Sequence, residues 1–178
     1  MVVSFATYER VALEDSDATW ELVCGHLREK APMTQAHNSL ASRLVTQFAR
    51  QLGEDDFEVR MNAPALYVRE GTYLVPDVAV VPQLGLTADK RLEAYREPLP
   101  FVAEVWSPST GDRDIETKIP EYRHRGDREI WQIHTRERSI TSWQRQADGS
   151  YRESRHESGV VSVGSLPGVS ISIDRLFR

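Results

Sequence analysis

Pro76-Asp77-Val78-Ala79-Val80-Val81 and Phe101-Val102-Ala103-Glu104-Val105-Trp106 are the two stretches on which the reading of this chain turns. Both are rich in β-branched residues and predict buried strands. Each carries one acid, at the head of the first run and in the middle of the second. A carboxylate in a buried strand is costly unless it is paired or holds a metal. Glu104, flanked by Ala103 and Val105, has few structural explanations beyond a buried ion pair with an arginine. Asp77 taken alone is also a good strand-start or turn residue after a proline. Ser107-Pro108-Ser109-Thr110-Gly111 then breaks the chain, and a polar segment with Asp112, Asp114, Glu116 and Lys118 follows.

Asp77 and Glu104 are hard oxygen donors of the kind Mg²⁺ or Mn²⁺ takes. A lysine beside such a pair can orient or help deprotonate a water and stabilise charge on a phosphorane-like transition state. Glu21, set among apolar residues in Trp20-Glu21-Leu22-Val23-Cys24, could complete the donor set. His37 could contact a phosphate or act as acid or base. Each has a plainer role too: Lys118 as a solvated helix lysine, His37 as a capping residue, Asp112, Asp114 and Glu116 as helix N-terminal acids. Trp106, Trp131 and Trp143 suit a core or a sheet face. Cys24 has no partner pattern and reads as structural. There is no glycine-rich phosphate loop, cysteine pair or GxSxG elbow, so NTP hydrolysis and zinc chemistry have little support.

Around these stretches the chain reads in order as a short amphipathic helix over 7–14, a hairpin over 20–30 closed by Pro32, and a helix from Thr34 to about Leu52. Leu40, Leu44, Val45, Phe48 and Leu52 fall at helical spacing, and Gly53 stands where a C-terminal stop is expected. Strands follow at 57–60, 65–69 and 73–75. Residues 83–98 are irregular, with a short helix near 89–95. A further helix occupies part of 112–125 and ends at Gly126. Pro120 inside it would cost roughly 3 kcal/mol in a helix interior, so a start near Glu116 or Thr117, or a kink, is expected. Glu129–His134 and Ser139–Trp143 form a hairpin, and 151–156, 160–163 and 166–173 add β-structure. This order predicts an α+β fold in one domain over 1–178: a mixed sheet with a long helix on one face.

The chain has 178 residues, 40% hydrophobic and 28% charged, as expected of a soluble globular protein. No run approaches the roughly 20 apolar residues of a membrane span. The N-terminus lacks the basic start and apolar core of a signal peptide, and one cysteine fits a reducing, cytoplasmic setting. The net charge is −5. Residues 1–110 carry 16 acids against 10 Lys/Arg, while 111–157 are balanced at 10 each. That is not the footprint of a tight non-specific nucleic-acid binder, so binding by the isolated protein should be weak, with a metal offsetting the acidic site.

In order along the chain, Glu21-Leu22-Val23-Cys24-Gly25, His37, Pro76-Asp77-Val78, Glu104-Val105-Trp106-Ser107-Pro108-Ser109-Thr110, Asp114 with Lys118, Tyr122 and Gly126, Glu129-Ile130-Trp131, and Leu166-Pro167-Gly168 resemble the Uma-type family of putative restriction endonucleases, a branch of the PD-(D/E)XK nuclease superfamily. The resemblance implies a restriction-endonuclease-like core in which Asp77 and Glu104 hold a divalent metal. The Val105 backbone carbonyl and Glu21 would be further ligands. The superfamily's lysine, two residues after the glutamate, is replaced here by Trp106, and the Uma-type pattern moves that role to Lys118. The expected function is an Mg²⁺- or Mn²⁺-dependent nuclease acting on DNA. Double-strand cleavage would call for a homodimer, for which strand edges and exposed tryptophans are candidate surfaces. The rival is a nuclease-like fold used for binding or assembly, with hydrolysis of a small phosphoester as a third option.

Overall fold

The computed structural model describes residues 2–178 apart from 32, 54, 84–91, 93 and 107–111, and gives the backbone alone for 112–116. Pro32, most of the helix expected near 89–95, the Ser107–Gly111 break, and the side chains of Asp112, Asp114 and Glu116 therefore lie outside the described residues. The chain runs through α1 (Phe5–Glu14), the hairpin β1 (Trp20–Val23) and β2 (His26–Glu29), α2 (Gln35–Ala49), β3 (Phe57–Met61), β4 (Ala65–Arg69), β5 (Thr72–Leu74) and β6 (Val78–Pro82). It continues through β7 (Ala94–Tyr95), β8 (Phe101–Trp106), α3 (Asp112–Arg125), β9 (Glu129–His134), β10 (Ser139–Arg145), β11 (Tyr151–His156), β12 (Val160–Ser162), β13 (Ser170–Ser172) and α4 (Ile173–Leu176).

The mixed α+β architecture is as expected, with more than one sheet. Six strands form the central sheet in the order β11-β10-β9-β8-β6-β3, in which only β8 and β9 run parallel. α3 is their crossover, as a parallel pair requires. A second sheet has the order β2-β1-β5-β4-β7, and β12 pairs with β13. The chain passes from the central sheet to the second between β3 and β4, at Asn62 (φ +51°) and the cis Ala63–Pro64 peptide.

Period-two alternation sends the central strands' side chains to opposite faces. Val78, Val80, Phe101, Ala103 and Val105 face Leu40, Leu44 and Phe48 of α2. Ala79, Val81 and Val102 face Ile119 and Tyr122 of α3 and Leu66 and Leu74 of the second sheet. A third cluster packs Tyr8 of α1 on Leu22, Tyr73 and Val75. Each fully buried Leu, Val or Phe side chain contributes about 1.5–3 kcal/mol. Glu104 stands between Ala103 and Val105 and so projects toward α3. That single alternation puts an acid, rather than an apolar side chain, against the crossover helix.

α2 forms because Thr34 caps it, its hydroxyl accepting from the His37 amide at 3.2 Å. It ends sooner than expected. Ala49 is its last residue, and Gly53 does not take a left-handed conformation but accepts the amides of Asp56 and Phe57 that begin the next turn. α3 begins at Asp112, not at Glu116 or Thr117, and holds Pro120 in its interior. Buried Lys118, Ile119 and Tyr122 flank the exposed proline, and their tertiary contacts override its local cost.

At the start of β8 and β9, Asp127 is fully buried and accepts from the Leu99 amide at 2.7 Å and Arg125 Nε at 3.0 Å. Arg125 also donates to the carbonyls of Tyr67, Tyr95 and Glu97. β11 is an edge strand with Arg152, Glu153 and Arg155 along it. Trp131 is fully buried and Trp143 nearly so, which removes them as exposed dimer surfaces; their indoles donate to Glu129 and Glu153. Among the described residues no helix is long and apolar enough to cross a membrane.

Candidate active site

Six elements deliver charged side chains to the C-terminal end of β8. Glu21 comes from β1, Lys30 from the residue after β2, and His37 from the first turn of α2. Asp77 stands just before β6, Glu104 lies on β8, and Lys118 and Tyr122 lie on α3. A spacing of four puts Lys118 and Tyr122 on one helix face. Glu21, Asp77, Glu104, His37 and Lys118 are all 2–3% exposed.

Asp77 is the most heavily engaged of the acids. Its Oδ1 accepts from Lys30 Nζ at 2.8 Å, and its Oδ2 accepts from the Val105 amide at 2.7 Å. His37 Nε2 stands 3.1 Å from Oδ2, yet neither ring nitrogen has hydrogen-bond geometry to any described residue. Burial pushes the Asp77 carboxyl up, but the Lys30 charge and then His37 outweigh it and hold it well below the usual range. Lys30 is itself fixed by the Val75 carbonyl at 2.8 Å and Asn62 Oδ1 at 3.4 Å.

The other half of the site is built around Lys118. Its Nζ lies 2.9 Å from Glu21 Oε1 and 3.5 Å from Glu104 Oε1. Glu21 Oε1 also accepts the Val75 amide at 2.7 Å. The Tyr122 hydroxyl donates to Glu104 Oε1 at 2.5 Å. Burial pushes the Glu104 carboxyl up to about 7, against the pull of Lys118 and with the charges of Asp77 and Glu21 adding to the rise. Burial, then the Glu104 charge, also lifts the Tyr122 hydroxyl far above its ordinary value.

Glu21, His37, Asp77, Glu104, Val105 and Lys118 are thus brought to one place. Val105 enters through its backbone. Trp106 is half-buried, its ring 6.1 Å from that of His134, and gives no charge. Two members were not singled out as site residues from the sequence. Tyr122 had a usable signal, its spacing of four from Lys118. Lys30 had none, because it closes a polar hairpin and meets Asp77 only through tertiary packing.

Among the described residues no three His, Cys, Asp or Glu side chains stand at metal-ligand spacing. The chemistry of the donor set nevertheless fits a hard divalent cation: three buried carboxylates, two on strands and Asp77 just before one, whose oxygens are the hard donors such an ion takes.

Residues 5–174 match the family described as Uma2, putative restriction endonuclease. The fold matches a solved structure of a putative nuclease from Anabaena variabilis, of a family of unknown function numbered 820. The TM-score is 0.73 and the identity 15%, over 92% of each chain. No curated protein matches.

Proposed function

The chain belongs to the Uma2 family of putative restriction endonucleases, and on that premise we propose a divalent-metal-dependent endonuclease that hydrolyses phosphodiester bonds in DNA. Family and fold support a nuclease role; the metal, the substrate and the residue roles are our reading. The observation that carries it is the convergence of Glu21, Asp77 and Glu104, all buried, on Lys118 and Lys30.

Asp77 and Glu104 would hold Mg²⁺ or Mn²⁺, with Glu21 completing the set. The Val105 carbonyl lies on the strand edge whose amide Asp77 accepts, and would add an oxygen. When bound, the ion supplies positive charge at the scissile phosphate and acidifies the attacking water. Lys118 orients that water from between Glu21 and Glu104 and stabilises negative charge on the transition state. Tyr122 fixes the Glu104 carboxyl through its hydrogen bond. Lys30 and the Val105 amide hold Asp77 ionised and in register. His37, whose Nε2 stands 3.1 Å from Asp77 while its Nδ1 has no hydrogen-bond partner among the described residues, can donate to a phosphate oxygen. One such site cuts one strand, so cutting a duplex through both strands calls for two copies.

The test is cleavage of supercoiled plasmid with Mg²⁺ or Mn²⁺ by the natural chain, Asp77→Ala and Lys118→Ala. Nicking by the natural chain that both substitutions abolish is the expected result; cleavage that survives both would sink the assignment. One observation favours a second reading, a nuclease fold that binds or assembles without catalysis: each carboxylate already has an internal cationic or hydroxyl partner. Calorimetry separates the two, since that module would bind neither ion more tightly than about millimolar.

A further inference from the structure

The net charge of −5 hides an uneven surface. Two adjoining grooves, of about 700 and 420 Å³, run along one flank of α2. Both are lined by Arg43 and Arg178; one adds Arg50 and Arg175, the other Arg136 and Arg138. Among the described residues no Asp or Glu lines either groove.

Four arginines elsewhere are paired with acids. Arg60 pairs with Glu58, Arg69 with Glu121, Arg125 with Asp127, and Arg155 with Glu137 and Glu157. The five exposed groove arginines, at 50, 136, 138, 175 and 178, have no acidic partner among the described residues. Glu137 sits between Arg136 and Arg138 in sequence, yet it is drawn away to Arg155 at 2.7 Å. Arg43 is braced by the carbonyls of Leu176 and Arg178. A row of guanidinium groups without carboxylate partners repels itself and attracts anions.

One groove reaches the first turn of α2, at Gln35 and Ala36. His37, in the first turn of α2, stands 3.1 Å from Asp77. Arg43 and Arg50 lie six and thirteen residues further, about 9 and 20 Å along the helix axis. Trp106, two residues past Glu104, pairs with His134, so the turn bearing Arg136 and Arg138 leaves the same end of the sheet as the catalytic carboxylates. A path of about 20 Å matches roughly six phosphates of one strand of a duplex, at one per 3.4 Å of axis. Among the described residues Val160 is the only large hydrophobic residue there that is well exposed, too little for insertion into a membrane.

We propose that this arginine-lined groove holds the sugar–phosphate backbone of the nucleic acid whose phosphodiester the Asp77–Glu104 site attacks. The inference rests on the nuclease reading above. Guanidinium groups suit it through bidentate contact with phosphate oxygens, which positions the strand without reading its sequence.

Fluorescence anisotropy in EDTA tests it, with a labelled duplex of about 20 base pairs over a range of salt. The natural chain should bind with an affinity that falls as salt rises. Arg136→Glu/Arg138→Glu and Arg50→Glu/Arg175→Glu should each weaken binding about tenfold or more and flatten the log–log salt slope by about two. Arg10→Glu, at an exposed position of α1, should change nothing. No duplex binding by the natural chain, double variants that bind like it, or an equal loss in Arg10→Glu would each overturn the proposal. So would binding to phosphatidylserine vesicles without binding to duplex. The two readings fail separately. Groove-dependent binding without metal-dependent cleavage sinks the nuclease and keeps the groove; Asp77-dependent cleavage with binding blind to the arginines does the reverse.

Discussion

The parallel pair β8–β9 has a buried charge cluster at each end, and the two are built differently. At the N-terminal end, Arg125 and Asp127 match one to one, and every spare donor of the guanidinium goes to a backbone carbonyl. At the C-terminal end, three carboxylates face two ammonium groups, with a histidine whose Nε2 stands 3.1 Å from Asp77. The first cluster is closed and ties Tyr67, Tyr95 and Glu97 to the helix end. The second sets three carboxylates against two ammonium groups, and burial, with the Asp77 and Glu21 charges adding to it, lifts the Glu104 carboxyl there. Burial of charge is common to both; stoichiometry separates structure from chemistry. α3 serves both ends, since Lys118, Tyr122 and Arg125 lie on one stripe at spacings of four and three.

If the N-terminal cluster is purely structural, breaking it should cost the most. Arg125→Ala strands Asp127 without a counter-ion and should destabilise the chain by about 3–5 kcal/mol, read from urea unfolding. A loss under about 1 kcal/mol would make the two ends alike. Asp77→Asn keeps the shape and an acceptor for the Val105 amide, but removes a charge from the other end. It should lower plasmid nicking about 10²–10³-fold, equivalent to about 2.7–4 kcal/mol, while circular dichroism stays unchanged.

A smaller effect sharpens the contrast in charge balance. Glu104 is lifted from an ordinary 4.5 to about 7 in the fold. Its contribution to stability is therefore complete below about 4.5 and lost as pH rises through about 7. Glu104→Gln, a permanent mimic of the protonated acid, should exceed the natural chain in stability by on the order of 1 kcal/mol at about pH 8. The two should converge near pH 4.5, as measured by urea melts in EDTA. An equal gap at both pH values would mean that the carboxylate is not under strain. The least effect belongs to the helix that joins the ends. Pro120→Ala restores a backbone donor on an exposed face and should add about 0.5–1 kcal/mol without altering nicking.

Much of this was legible in the sequence, for local reasons. Val78–Val81 and Phe101–Val105 declare buried strands by composition, and Glu104 declares itself by standing among apolar neighbours. Thr34 and the Leu40, Leu44 and Phe48 stripe give α2. What was not legible depends on distant packing. Lys30 reaches Asp77 because β2 belongs to a second sheet that docks on the first, and no periodicity records that docking. The second sheet was hidden because β3 and β4 read as neighbours in one meander, whereas the chain changes sheets at Asn62–Pro64. The start of α3 at Asp112 was hidden by Pro120, whose local preference is outweighed by buried Lys118, Ile119 and Tyr122. The arginine groove escaped net-charge reasoning because a sum over 178 residues averages away a face.

The charged outer strand β11 has a consequence for how copies of the molecule can meet. An open sheet margin is a template for another strand, and in crowded solution it invites end-to-end stacking into insoluble ribbons. Arg152, Glu153 and Arg155 spoil that template on β11, as Glu58 and Arg60 do on β3 at the opposite margin. A pair of molecules assembled to sever both strands of a duplex would therefore not join by pairing the margins of their central sheets, leaving each at six strands.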